Sequence, residues 1–85
     1  MKVLFYLSVK EHTGVESIEL SNMSILSDVL VALEEKFGSA FGEYLRADET
    51  CFYLVDGKAI IGTGGFNTRL EENSVVEILP VVDAG

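Results

Sequence analysis

One cysteine, one histidine and one proline are all this sequence has of those types, and 6 basic side chains face 14 acidic ones. A single cysteine excludes an internal disulfide and any zinc or iron–sulfur site built from several thiolates. It fits a reducing compartment, and the chain is expected to be cytoplasmic. The acid excess gives a formal net charge of -8, which repels phosphate backbones. Nucleic acid is therefore not an expected partner, and the charge serves solubility or docking to a basic partner. No apolar run approaches the roughly 18 residues of a membrane span. The opening MKVLFYLSVK has a short apolar run behind one lysine. It lacks the longer apolar region and small-residue cleavage site of a signal peptide, so no membrane is expected.

What is present suits one small domain. Apolar residues make up 48% of 85 positions, enough for a core without metal or disulfide staples. KVLFYLSV (2–9) reads as a strand, apolar on both faces and therefore central. EHTG (11–14) reads as a turn and VESIEL (15–20) as an alternating strand, together a hairpin. SNMSILSDVLVALEEKFG (21–38) changes period: Leu26, Val29, Leu30, Leu33 and Phe37 fall at helical spacing, with Ser24 as N-cap, Asp28 near the first turn and Gly38 as the stop. SAFGEYLRADET (39–50) reads as a short helical turn around Phe41, Tyr44 and Leu45. CFYLVDGKAII (51–61) is two β runs about the Asp56-Gly57 pair, which favours a type I′ turn. GTGGFNTRLEEN (62–73) reads as loop and SVVEILPV (74–81) as the last strand. The order β-β-α-β-β-β, with the most apolar strands first and last, predicts an α+β fold. The expected form is a β-grasp (ubiquitin-like) mixed sheet of four to five strands, with one main helix across one face. The expected division is a domain over 1–80 and a flexible tail over 81–85.

Few residues are candidates for chemistry. GTGG (62–65) lacks the Lys-Ser/Thr of a phosphate loop, so its glycines are expected to serve backbone turns. His12 has no nucleophile patterned beside it. Cys51 has no nearby cation to lower its pKa and reads as structural. The carboxylates are scattered without metal-ligand spacing, and no metal is expected. With no catalytic set among the side chains, the C-terminal carboxylate is the remaining candidate. A carboxylate can be activated by adenylation and then attacked by sulfur or an amine. The ending LPVVDAG suits a thin leash, with Pro80 stiffening its exit from the strand and ending the pairing there. Two readings of that ending stand at this level: an ordinary frayed terminus, or a working carboxylate.

MKVLFYLSV, SDVLVALEEKFG, VDGKAI and RLEENSVVEILPVVDAG resemble the ubiquitin-like sulfur carriers of the MoaD/ThiS superfamily. Among them they resemble the small subunit of molybdopterin synthase (MoaD-like), over essentially the whole chain. Leu70, Glu71, Glu72, Asn73, Val76, Ile78, Pro80, Val82 and Gly85 match that family's ending. The resemblance implies that the Gly85 carboxylate is adenylated by a MoeB/ThiF-like activating enzyme using ATP, and is then thiocarboxylated. The tail would next enter a MoaE-like large subunit and donate sulfur in molybdopterin (molybdenum or tungsten cofactor) biosynthesis. The chain would hold no permanent cofactor and would act as the sulfur-donating subunit of a sulfurtransferase. Leu79, Pro80, Val81, Val82, Asp83 and Ala84 are the expected partner-binding residues, with Phe66 as an addition to the patch around Leu79. The ending departs from the family at three places: Ala84 stands for a glycine, Val81 for a second proline, and Asp83 for a small neutral residue. The alternative is a ubiquitin-like binding or modifier module that docks through its sheet face, or a thiamine-pathway carrier.

Overall fold

Val3 and Phe5 are buried while Lys2 and Leu4 face the other way, the two-residue period of strand β1 (Lys2–Phe5). The computed structural model describes residues 1–47 and 50–81. The strand expected over residues 2–9 stops at Phe5. Leu7 takes a positive φ of 51°, which breaks the extended run, and helix α1 (Leu7–Thr13) follows. Val9 is its one buried residue, so the segment carries no helical apolar period to read. Gly14, expected in a hairpin turn, instead closes α1 in the left-handed region, its N–H donating to the Lys10 carbonyl at 2.8 Å. Strand β2 (Ser17–Glu19) then pairs antiparallel with β1, Val3 opposite Ile18. The hairpin pairing is therefore as expected, but a helix occupies its connection.

Helix α2 (Leu26–Phe37) buries Leu26, Val29, Leu30 and Leu33, the stripe its period predicts. Its start is set by Asp28 rather than by Ser24, which lies one residue before the N-cap Ile25. Asp28 Oδ2 accepts from the backbone N–H groups of Ser24 (2.9 Å) and Ile25 (3.1 Å), supplying acceptors for N–H groups the helix leaves without partners. Residues 68–70 clamp the same end: Leu26 N–H donates to the Thr68 carbonyl and Leu70 N–H to the Ser24 carbonyl. Gly38 ends α2 as expected, at φ 105°, and opens helix α3 (Ser39–Arg46), which buries Phe41 and Leu45.

Strand β3 (Cys51–Val55) turns through Asp56 (φ 51°) and Gly57 (φ 82°) into β4 (Lys58–Ala59). Both positive φ values are those of the type I′ turn predicted for this pair. Asp56 also fixes where the last strand begins, its Oδ1 accepting from Val75 N–H at 2.9 Å and its Oδ2 from the Ser74 hydroxyl at 3.2 Å. The second β run, expected to reach residue 61, stops at Ala59, and a 3₁₀ turn takes Ile60–Gly62; the expected loop 62–73 holds another at Gly65–Asn67, and Gly64 and Gly65 take positive φ. These glycines make turns, as expected. Strand β5 (Val75–Pro80) completes a five-stranded mixed sheet of order β2-β1-β5-β3-β4. The first and last strands are central and parallel, Val3 beside Val76 and Phe5 beside Ile78, which is the β-grasp arrangement.

All three helices send their buried residues into one core with Val3, Phe5, Tyr53, Val55, Val76 and Ile78 of the sheet. Phe5, Phe37 and Phe41 meet edge to face in a triangle with centroids 5.6 to 6.4 Å apart. The Tyr53 hydroxyl, carried into this core, donates to the Leu45 carbonyl at 2.7 Å. Among the described residues no helix is long and apolar enough to cross a membrane.

Candidate functional site

Strand β5, in the middle of the sheet, leads to Val81, the last described residue. Along it N–H and C=O pairs point alternately to β1 and to β3. The Ile78 carbonyl accepts from Tyr6 N–H on the β1 side at 3.2 Å, and Val81 N–H donates to the Thr50 carbonyl on the β3 side at 2.9 Å. Pro80 thus turns its ring nitrogen toward β1, which has already ended at Phe5, so its missing N–H costs no ladder bond. This corrects the expectation that Pro80 ends the pairing. Pairing with β1 ends before Pro80, while pairing with β3 runs on to Val81. Val82, Asp83, Ala84 and Gly85 lie outside the described residues.

The face of β5 away from the core carries Val75, Glu77 and Leu79. The registers set Leu4 and Leu54 beside Glu77, and Phe52 beside Leu79. Phe52 is 58% exposed and the others are half-buried, so an apolar face runs up to the last described residues of the chain. Tyr6 extends it and donates its hydroxyl to Glu77 Oε2 at 2.6 Å. That bond raises the Tyr6 pKa above its ordinary 10.0, with desolvation and the carboxylate's charge adding to the effect.

Leu79, Pro80 and Val81 are half-buried at this exit. Phe66 does not join them. It packs edge-on against the ring of Tyr53, centroids 5.4 Å apart, and Tyr53 opposes Ile78 on the core side of the sheet. There Phe66 lines an open groove of about 330 Å³ with Leu45, Tyr53 and Ile60, and Phe52 borders both this groove and the Leu79 face. Leu4, Phe52, Leu54 and the Tyr6–Glu77 pair are the residues of the face that sequence reasoning missed. The signal for two of them was alternation in CFYLV, which puts Phe52 and Leu54 on the side opposite Tyr53 and Val55.

The side chains set aside in the sequence remain unpromising as reactive groups. His12 stands in the last turn of α1 against the Tyr44 ring, centroids 4.2 Å apart. Burial pushes the Cys51 thiol above its ordinary 9.0, away from the thiolate a nucleophile requires. Among the described residues no group of three or more His, Cys, Asp or Glu is placed to hold a metal.

The structure resembles small archaeal modifier protein 1 of Methanosarcina acetivorans (TM-score 0.82, 26% identity, 99% of this chain and 94% of that one). It also resembles CysO of Mycobacterium tuberculosis (TM-score 0.82, 25% identity, 95% and 98%). A third solved structure, a putative molybdopterin converting factor subunit 1 from Pyrococcus furiosus, shares the fold (TM-score 0.71, 23% identity, 95% of each chain). No curated protein sequence matches the chain. The model of the ThiS family matches residues 3–85. A β-grasp sheet with an open apolar face along its central strand, up to Val81, is thus the setting of that match, and the chain belongs to the ThiS family, within the MoaD/ThiS superfamily of ubiquitin-like sulfur carriers.

Proposed function

We propose that this chain is the sulfur-donating small subunit of a molybdopterin synthase and works in the cytoplasm through the carboxylate of Gly85. A carboxylate oxygen attacks the α-phosphorus of ATP on a MoeB/ThiF-like activating enzyme, and pyrophosphate leaves. Hydrosulfide then attacks the acyl adenylate, the C–S bond forms as the C–O bond to AMP breaks, and loss of the proton leaves a thiocarboxylate. The tail carries it into a MoaE-like large subunit, where sulfur passes to the pterin precursor. ATP belongs to the activating partner, and the carrier keeps no cofactor of its own. Phe52, Leu54 and Leu79 give the partner apolar area beside the exit, and Val82 to Gly85 form the inserted arm. The observation that carries this reading is the course of β5 through the sheet's centre, with its outer apolar face open up to Val81.

The test is intact mass after incubation with the activating enzyme, ATP and a sulfur donor. The expected product gains the mass difference between one sulfur and one oxygen, and the gain disappears when Gly85 is deleted. An unchanged mass beside an enzyme that charges its own carrier would overturn the reading. The likeness to an archaeal modifier protein favours a second reading, a protein modifier joined to lysines by isopeptide bonds. Its mark is a ladder of higher-mass conjugates in cell extract that depends on Gly85.

A further inference from the structure

Glu77 stands at the centre of the sheet's open face. The registers align Ser17, Leu4, Glu77, Leu54 and Ala59 in one row across all five strands, with Glu77 on the middle strand. Its same-face neighbours along β5 are Val75 and Leu79. On this face of β1, β5 and β3 no other described residue is a carboxylate; Lys2, beside Val75, and Glu19 of β2 opposite it share the face, and among the described residues no ion pair joins Lys2 to Glu77. Tyr6 fixes one oxygen, Oε2, at 2.6 Å. Among the described residues nothing donates to Oε1.

That placement restricts what can cover the face. A partner that seals Leu4, Leu54 and Leu79 strips water from Glu77, and a buried carboxylate without a compensating charge is strongly unfavourable. A second copy of this chain is a poor occupant. A two-fold pairing of these faces sets Glu77 near its own twin, and each copy brings a net charge of -8. A surface that is apolar around a single cation meets the demand. A guanidinium suits it well, because its fork reaches Oε1 while Tyr6 holds Oε2.

We infer that Glu77, oriented by Tyr6, is the specificity-determining carboxylate of this face and is read by one arginine or lysine set in the apolar docking surface of the activating enzyme. The inference rests on the proposed sulfur-carrier reading for the identity of the partner. The Tyr6 hydroxyl is a positioning group: by donating to Oε2 it restrains the carboxylate and leaves Oε1 as the oxygen to be read.

The experiment compares the wild-type chain, Glu77→Gln and Tyr6→Phe with the same activating enzyme. Affinity is measured by calorimetry without ATP at low and high salt, and adenylation by pyrophosphate release. Glu77→Gln keeps the shape and an acceptor for Tyr6, so its melting temperature is expected to stay near wild type. Its Kd and KM are expected to rise at least about tenfold with kcat unchanged, and its binding to lose much of its salt dependence. Tyr6→Phe is expected to raise Kd about threefold, since the charge stays and only its orientation is lost. Glu77→Gln binding as tightly as wild type, or tighter, overturns the inference. So does Glu77→Gln that self-associates without losing affinity, because the carboxylate then serves only to keep identical faces apart. Adenylation of Gly85 with an unchanged KM in Glu77→Gln sinks this inference and leaves the carrier reading standing. Binding that depends on Glu77 without any adenylation does the reverse, and a wild type that neither binds nor is adenylated overturns both.

Discussion

Ile78 and Leu79 are adjacent and nearly isosteric, yet alanine at each is expected to damage different properties. Ile78 is fully buried between the central strands and the helices. Ile78→Ala removes core methyl groups that the packed surroundings cannot replace, at about 3 kcal/mol. In a domain of 85 residues that lowers Tm by about 12–24 °C. Leu79 lies on the open face beside Phe52 and is only half-buried, so Leu79→Ala is expected to cost within about 1 kcal/mol of stability. Its loss falls on docking. Complete burial of a leucine side chain is worth about 1.5–3 kcal/mol, and the portion still exposed in the free chain leaves about 1 kcal/mol to be gained against the partner, roughly fivefold in Kd. Thermal melts followed by circular dichroism read the first quantity, and calorimetric titration of the activating enzyme at a temperature where both variants are folded reads the second. Ile78→Ala should bind normally once folded, and Leu79→Ala should melt near wild type and bind weakly. Equal losses of Tm for the two variants would refute the assignment of faces along β5 and the docking argument with it.

Three further outcomes are expected. On the proposed reading, in which the tail threads an active site, Ala84→Gly should raise the rate of adenylation by a MoeB/ThiF-like enzyme, because it removes a methyl and opens positive φ; equal rates would show that this methyl does not discriminate. The backbone N–H groups of Ser24 and Ile25 hold the Asp28 carboxyl below its ordinary 3.8. Its contribution to stability is thus full above that value and lost as pH falls through the depressed one, so Asp28→Asn should show a shallower acid limb in a plot of Tm against pH. Cys51, with its thiol raised by burial, should react with a thiol reagent at neutral pH at least about tenfold more slowly than free cysteine and recover the free rate in denaturant.

The fold was legible where a period ran long enough to declare itself. Leu26, Val29, Leu30 and Leu33 marked α2, Asp56-Gly57 marked the tight turn, and the apolar first and last strands marked the centre of the sheet. α1 was not legible, because a helix of 7 residues with one buried side chain leaves no repeat. Tyr6, Leu7 and Val9 also continue an extended pattern until the backbone at Leu7 turns to positive φ. Gly14 gave a true signal for a left-handed residue, but a hairpin turn and a helix end both use one. Asp28 shows the same ambiguity in another form: Ser24 has the composition of an N-cap, and only the hydrogen bonds reveal that the carboxylate supplies the acceptor.

The candidate site divides along the same line. The ending, which lies within the residues 3–85 that the family model matches, is a string of residues and was readable as one. The surface beside it is a product of register, and no single stretch contains it. Leu4, Glu77 and Leu54 are up to 73 positions apart and become neighbours only because β1 and β3 flank β5 in that alignment. Pro80 illustrates the point at one residue. Its ring nitrogen costs a bond if it faces a paired strand and nothing if it faces an ended one, and the sequence does not say which. The register does: β1 yields to α1 at Leu7, two residues after its last pair with β5, and Pro80 falls two residues beyond that same pair. The turn into α1 and the proline are therefore matched features. One removes the neighbouring strand and the other removes the N–H that strand would have paired. Together they leave the end of β5 held on the β3 side alone, with its β1 side unpaired among the described residues.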